Sequence, residues 1–201
     1  MIQAIVFDFD GVLHNTIDLH IQSFNTLMSE GEFSHDEFVK LHDGNIHENT
    51  NLQHKLQYID FSKYHETIAP AFEVQHMIAG TKRMLESYAK LYKLFIISSG
   101  GEQHQIPFLE YNGVLDCFTR VMGKETHPSK VEKFRMIFRE YDLIAEDVVF
   151  VTDTLGDIRE GHEVGVKTIA VDFGLHDRDR LLRGNPHAII SSFDELDQYI
   201  T

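Results

Sequence analysis

The sequence predicts an α/β protein with a Rossmann-like, three-layer core built on a parallel sheet, and a small all-helical cap inserted after the first strand. Short runs rich in Val, Ile and Phe recur along the chain, as is typical of buried strands. Segments with helical spacing separate most of these runs. Only residues 15–79 break the alternation, because they contain several amphipathic segments and no convincing strand.

The predicted strands and helices alternate as in a sheet that helices cover on both faces. The strands are Ile2–Phe7, Leu94–Ile97, Val148–Val151, Thr168–Val171 and Ala188–Ile190. The helices of this core are Thr81–Leu91, Gln103–Tyr111, Ser129–Tyr141 and Leu155–Val164. In the third helix Val131, Phe134 and Phe138 share one face, which is therefore expected to pack against the sheet.

Residues 15–79 are predicted to form the helical cap, and residues 1–14 and 80–201 the α/β core. The amphipathic segments of the cap are Asp18–Met28, His35–Leu41 and Phe61–Met77. The cap holds ten acidic residues, three lysines and no arginine, which gives it a net charge of −7. It therefore carries half of the formal charge of −14 that results from 32 acidic and 18 basic residues in the whole chain.

The composition argues against several classes of function. A chain with a net charge of −14 and no cluster of Lys and Arg repels phosphate backbones and anionic lipids, so we expect neither nucleic acid nor a membrane as a partner. The single cysteine, Cys117, has no second thiol with which to pair. The first apolar run stops at Asp8, too early for a signal peptide. We expect a cytoplasmic protein that is a monomer or a weak homodimer.

Polar residues follow three of the predicted strands at the point where each strand ends. Asp8 and Asp10 follow the first strand, and Ser98 follows the second. Asp153 and Asp157 follow the third strand in a strand-to-helix turn. Ligands of open parallel sheets bind at the carboxyl ends of the strands, so we expect these residues to meet in one crevice. Four carboxylates with no thiol or imidazole among them favour Mg²⁺.

Glycines in the same turns indicate a site for an oxyanion. Gly11 follows Asp10, and Gly100 follows Ser98 and Ser99. Because glycine has no Cβ atom, backbone N–H groups at such turns can approach a bound phosphate closely. Acid, hydroxyl and acid at three successive strand ends together predict a metal-dependent phosphate site.

These motifs resemble those of the haloacid dehalogenase superfamily of phosphohydrolases. The run Phe7-Asp8-Phe9-Asp10-Gly11 is similar to the first motif of that family, and Ser98 at a strand end is similar to the second. Asp153 with Asp157 is similar to the fourth motif. The helical insertion between the first and second motifs resembles the C1-type cap of phosphoglycolate phosphatases and beta-phosphoglucomutases. The resemblance covers essentially the whole chain.

The resemblance implies a role for each of these residues. Asp8 is then the nucleophile that forms an aspartyl-phosphate, and Asp10 is the general acid and base. Ser98 and a lysine are the further catalytic residues. The implied phosphate-binding residues are Gly11, Ser98, Ser99, Gly100 and the same lysine. The implied Mg²⁺ ligands are Asp8, Asp10 through its backbone carbonyl, Asp153 and Asp157.

Two lysines are candidates for the third motif of the family. Many relatives place this lysine directly before a Pro-x-Pro turn, but here Glu125 occupies that spacing ahead of Pro128. We choose Lys130 because it opens a predicted helix, and Lys124 remains the alternative.

We therefore predict a Mg²⁺-dependent phosphatase that hydrolyses a small phosphorylated metabolite, a phosphomonoester, through an aspartyl-phosphate. The absence of arginine from the cap favours a substrate with little further charge, whereas Lys40 and Lys55 keep a more highly charged one open. One alternative is a phosphosugar mutase like the beta-phosphoglucomutases, because His20 follows the first motif where many of these relatives also have histidine. The other is a binding or regulatory protein of the same fold without turnover.

Overall fold

The computed structural model describes residues 1–44, 54–72 and 75–200. Residues 45–53 and 73–74, which belong to the predicted cap, lie outside the described residues, as does Thr201. Within the described ranges no helix is long and apolar enough to cross a lipid bilayer.

The core contains one parallel sheet of six strands, which confirms the predicted fold class. In chain order the strands are β1 (Ala4–Phe7), β2 (Lys93–Ile97), β3 (Arg120–Met122), β4 (Val148–Thr152), β5 (Lys167–Val171) and β6 (Ala188–Ile190). Their order across the sheet is β3-β2-β1-β4-β5-β6, so β1 lies between β2 and β4. The strand order reverses at β1, and it is beside such a strand that open α/β sheets bind ligands.

Helices cover both faces of the sheet. Those of the core are α4 (Thr81–Tyr88), α5 (Glu102–Tyr111), α6 (Lys130–Tyr141), α7 (Leu155–Glu163), α8 (Arg178–Leu182) and α9 (Asp197–Ile200). Side chains of β1 alternate between the two faces: Ile5 and Phe7 join a cluster with Leu85 on one, and Val6 joins a cluster with Phe134 on the other. Because helices bury both faces of the sheet, the side chains on both sides of each strand are apolar.

Between β1 and α4, the helices whose bounds lie within the described ranges pack around a mostly aromatic cluster. They are α1 (Ile17–Leu27), α2 (His35–Leu41) and α3 (Tyr64–Phe72). The cluster consists of the buried side chains Phe24, Phe33, Phe38 and Ile59. Ser34 begins α2 with a capping box, in which its hydroxyl accepts from Glu37 N–H and the Glu37 carboxylate accepts from Ser34 N–H. The division into cap and core at residues 15 and 79 stays a prediction.

The last turn of α2 and the segment after it contact the core through backbone groups. The buried His176 side chain accepts from Leu155 N–H at Nδ1, which leaves Nε2–H to donate to the carbonyl oxygen of Val39 at 2.9 Å. Gly156 N–H donates to the carbonyl oxygen of His42, and a Cβ atom on Gly156 would lie 2.6 Å from the carbonyl oxygen of Gly44. Only glycine therefore permits this close approach.

Candidate active site

The carboxyl ends of β1, β2 and β4 bring the predicted site residues to one edge of the sheet. Asp8 N–H donates to Val151 O at 2.8 Å, which extends the pairing of β1 with β4 by one residue. Ser98 N–H donates to Met122 O at 3.0 Å and continues β2 in the same way. These backbone bonds fix where Asp8 and Ser98 leave the sheet.

Lys130 is the lysine that the fold brings to the predicted nucleophile. Its ammonium nitrogen lies 3.0 Å from Asp8 Oδ1 and 2.5 Å from Asp157 Oδ2, and all three side chains are buried. The Ser129 hydroxyl caps α6 by accepting from Glu132 N–H, so Lys130 occupies the first position of the helix. Lys124, in contrast, is exposed to solvent beside Gly101. Of the two candidate lysines, only Lys130 makes these contacts with Asp8 and Asp157.

Asp8, Asp153 and Asp157 form a cluster of buried carboxylates. Burial raises the pKa of Asp8 well above its usual value, and the charges of Asp157 and Asp153 raise it further against the opposing effect of Lys130. Burial and Asp157 raise the pKa of Asp153 to about 7. The pKa of Asp157 is lowered, because Lys130 and the Thr152 hydroxyl, 2.6 Å from Oδ2, outweigh its burial. Ionised together, the three carboxylates would carry more negative charge than Lys130 balances, and the raised pKa values of Asp8 and Asp153 reflect this.

Asp153 presents one unsatisfied oxygen within this cluster. Its Oδ2 accepts from Leu175 N–H at 2.7 Å, while the buried Oδ1 has no hydrogen-bond partner among the described residues. Gly11 and Gly174 enclose the carboxylate: a Cβ atom on Gly11 would lie 1.9 Å from Oδ2, and one on Gly174 would lie 2.3 Å from the Asp153 Cβ. The two glycines leave just enough space for this side chain.

The residues fit a hard divalent cation. No three His, Cys, Asp or Glu side chains in the described parts of the chain converge as a preformed metal site. The Lys130 ammonium contacts both Asp8 and Asp157. The unpartnered Oδ1 of Asp153 and the excess of buried carboxylate nevertheless supply the oxygen ligands that Mg²⁺ prefers. We conclude that the chemistry of the cluster suits Mg²⁺, whose ligand set stays a prediction.

Replacing Gly11 with Ala is expected to destabilise the protein by roughly 2–5 kcal/mol, measured by urea unfolding. The residue has a φ of +74°, which strains any residue with a Cβ atom, and the added methyl group would overlap Asp153. Gly31→Ala is a matched control, because Gly31 has a φ of +70° with nothing within 4 Å of its Cβ position. The free energy of unfolding of the Gly31→Ala variant should therefore fall only by the backbone strain, about 1–2 kcal/mol. Equal losses in the two variants would contradict the predicted overlap.

Asp10 lies in a hydrogen-bonded group that joins the core to the cap helices. Its Oδ1 accepts from the Thr16 hydroxyl at 2.7 Å and lies 3.0 Å from Nε2 of His20 on α1. The other ring nitrogen of His20 is hydrogen-bonded to the hydroxyl of Tyr64 on α3. Burial raises the pKa of Asp10, but His20 and Thr16 outweigh it and hold this pKa well below its usual range. The Asp10 carboxylate therefore stays ionised beside His20.

The loop after β2 presents Ser98, Ser99 and Gly100 beside Asp10. The Ser98 hydroxyl oxygen accepts from Gly100 N–H at 3.0 Å, so its own hydrogen is available for donation. A Cβ atom on Gly100 would lie 3.2 Å from Asp10 Oδ2 and 3.4 Å from Ser98 Oγ. The predicted phosphate-binding loop and Asp10 thus face each other across Gly100.

Lys133 is a residue of this region that the motifs did not indicate. Its side chain is fully buried, and its ammonium group donates to the carbonyl oxygen of Ser98 at 2.5 Å. Burial, together with the charge of Lys130, lowers the pKa of Lys133 to about 8. The sequence did carry one signal, because Lys130, Lys133 and Phe134 share a helix face and Phe134 is apolar. A lysine on a buried helix face needs a buried hydrogen-bond acceptor for its ammonium group.

Comparison with known proteins is consistent with the geometry. The chain is 25% identical to the pyrophosphatase PpaX of Bacillus cereus, over 97% of this chain and 94% of that protein. It is 22% identical to a phosphoglycolate phosphatase of Synechococcus elongatus, over 99% of this chain and 97% of that protein.

A solved structure shows the same fold. A haloacid dehalogenase-like family protein from Streptococcus pneumoniae superposes with a TM-score of 0.77 and 17% identity, over 100% of this chain and 99% of that chain. The sequence profile of the haloacid dehalogenase-like hydrolases matches residues 5–171, which include all four motifs. The chain therefore belongs to the haloacid dehalogenase-like hydrolase family.

Proposed function

We propose that the protein is a Mg²⁺-dependent phosphatase that hydrolyses a small phosphomonoester through an aspartyl-phosphate on Asp8. The observation that carries this proposal is the buried contact of Lys130 with both Asp8 and Asp157 at the carboxyl edge of the sheet. The names of the aligned relatives, a phosphoglycolate phosphatase and a pyrophosphatase, support a phosphoryl group as the reacting group.

In the first half of the reaction, an Asp8 carboxylate oxygen attacks phosphorus and the bond from phosphorus to the ester oxygen breaks. The ionised form of Asp8, which Lys130 favours and burial opposes, attacks without first losing a proton. The leaving oxygen needs a proton, and the hydrogen-bonded pair of Asp10 and His20 is placed to hold one. The Ser98 hydroxyl and the Lys130 ammonium bind phosphoryl oxygens as negative charge develops.

In the second half, water attacks phosphorus and the bond from phosphorus to Asp8 breaks, which releases inorganic phosphate. The Asp10 carboxylate accepts the proton of this water. His20 and Thr16 favour the ionised form of Asp10, which is the form that can accept a proton. Asp10 and His20 then hold the proton that the next leaving group requires.

Charge balance supports a divalent cation. With all of them ionised, Asp8, Asp10, Asp153 and Asp157 would contribute four negative charges, and the buried Lys130 and Lys133 two positive ones, and burial raises the pKa values of Asp8 and Asp153 against this state. One Mg²⁺ ion would balance the remainder, orient the phosphoryl group and withdraw charge from its oxygens. Asp8 and Asp153 are the side chains best placed to hold it, because Asp153 Oδ1 is unpartnered within the described ranges.

Two measurements on the purified protein test this proposal. An aryl phosphate should release phosphate with Mg²⁺ and not with EDTA. Without substrate, Mg²⁺ at a hundredfold excess over its dissociation constant should stabilise the fold by about 2.7 kcal/mol, a rise in Tm of roughly 5–10 °C.

Asp153→Asn should abolish the thermal shift with Mg²⁺. Asp172→Asn is the matched control, because Asp172 follows β5 as Asp153 follows β4 but pairs with Arg178 instead. It should keep the full shift. Binding of Mg²⁺ and beryllofluoride without any turnover would indicate a non-catalytic binding protein, and phosphate release in EDTA would refute the role of the metal.

A further inference from the structure

Two neighbouring polar side chains on α5 are buried next to the proposed site with hydrogen-bonding groups left over. Gln105 is 1% exposed, and neither its Nε2 nor its Oε1 has a partner within the described part of the chain. His104 is 4% exposed, and its Nδ1 is likewise unpartnered there. Each such group costs about 1–3 kcal/mol when it is buried unpaired, so folding alone gives no reason to keep them.

The Gln105 amide lies beside the reacting groups. The point that a Cβ atom on Gly100 would occupy is 3.2 Å from Gln105 Nε2, 3.2 Å from Asp10 Oδ2 and 3.4 Å from Ser98 Oγ. The amide therefore borders the same small space as the proposed proton donor and the phosphate-binding hydroxyl. A Cβ atom at residue 100 would fill this space, which glycine leaves open.

Helix α3 of the cap covers this part of α5. His65 Nδ1 of α3 lies 3.4 Å from His104 Nε2, and the rings of Phe72 and His104 pack with centroids 5.4 Å apart. In this arrangement the unpartnered atoms are closed off from solvent. A substrate would reach them when α3 moves aside, as cap elements do in enzymes that enclose their substrates.

The chemistry of these groups selects the ligand. The Gln105 amide both donates and accepts hydrogen bonds, and His104 is a neutral ring at pH 7 because burial lowers its pKa to about 4. A hydroxyl group also donates and accepts, and can pair with both the NH₂ and the C=O of the amide. A carboxylate can only accept and would leave Gln105 Oε1 unsatisfied.

We propose that Gln105, together with His104, binds a hydroxyl group on the leaving-group side of the substrate, so that the enzyme prefers hydroxylated phosphomonoesters such as polyol and sugar phosphates. This inference rests on the proposed phosphatase function. Gln105 is then a specificity-determining residue whose unpaired amide is satisfied by substrate. The cap agrees with this preference, since residues 15–79 contain no arginine for a charged leaving group.

The test compares glycerol 3-phosphate with n-propyl phosphate, which lacks the two hydroxyl groups. The wild type should have a kcat/KM at least tenfold higher for glycerol 3-phosphate, and Gln105→Met should reduce this ratio to near one. Met has a similar volume and no unpaired amide, so Tm should be unchanged or higher. Gln103→Met, at an exposed position of the same helix, should keep the wild-type ratio.

A second measurement separates this inference from the proposed function. Calorimetric binding of the same two esters to Asp8→Asn, with and without Gln105→Met, measures the preference without turnover. A Gln105-dependent preference in binding with no hydrolysis by the wild type would refute the phosphatase and support the inference. Equal use and equal binding of the two esters by the wild type would overturn the inference. So would a Gln105→Met variant that raises Tm and leaves the ratio unchanged.

Discussion

Replacing Asp8 with Asn is expected to lower kcat by roughly four to six orders of magnitude, as loss of a nucleophile does in other covalent mechanisms. The amide cannot form the phosphoryl ester, while its size and its contact with Lys130 are largely kept. The measurement is single-turnover phosphate release with Mg²⁺ present. A variant that retains a tenth of wild-type activity would exclude Asp8 as the nucleophile.

The same variant should show the opposite effect on stability. In the wild type the pKa of Asp8 is raised by burial and by two neighbouring carboxylates, so its ionised form is unfavourable in the folded protein at pH 7. Asn removes that charge. Without Mg²⁺ we therefore expect an unchanged or higher Tm, which also shows that lost activity is not lost folding.

Replacing Lys130 with Met is expected to reduce the free energy of unfolding by about 3–5 kcal/mol and to abolish measurable turnover. The ammonium group is buried against Asp8 and Asp157, and its removal leaves both carboxylates buried without their shared ion pair. Urea unfolding without Mg²⁺ measures the stability, and the phosphatase assay measures the activity.

Lys124→Met is the matched control for Lys130→Met. Lys124 is exposed, and surface substitutions of this kind change stability by no more than about 0.5 kcal/mol. We expect near wild-type turnover, because Lys130 is the lysine that contacts Asp8. Loss of activity in the Lys124 variant with activity retained in the Lys130 variant would reverse the choice between them.

Most of the sheet could be predicted because five of its strands are continuous apolar runs. The strand β3 could not, since Arg120-Val121-Met122 is short and begins with a charged residue, whereas the equally short β6 is apolar throughout. The charged Arg120 is tolerated because β3 lies at one side of the sheet, where it pairs only with β2 and Arg120 forms an ion pair with Glu140. Such strands are defined by their neighbour more than by their own residues.

The candidate site likewise contains residues that the sequence predicts and residues that it does not. Asp8, Ser98 and Asp153 could be placed because each follows a recognisable strand, and the carboxyl ends of parallel strands share an edge. Gln105 and Lys133 could not be placed, because their importance comes from what surrounds them in space. The helix face that Lys133 shares with Phe134 indicates that Lys133 is buried but does not identify the loop it contacts, and Gln105 carries no such signal.

The contact of His176 with the cap has a thermodynamic consequence. Leu175 N–H donates to the Asp153 carboxylate. The side chain of the next residue, His176, donates to the carbonyl oxygen of Val39 and accepts from Leu155 N–H. Two adjacent residues thus connect the proposed cation ligand to the cap. Linkage of this kind is reciprocal: if docking of the cap segment increases cation affinity, cation binding favours docking by the same factor. Closure of the cap segment and loading of the cation would then be coupled before any substrate is bound.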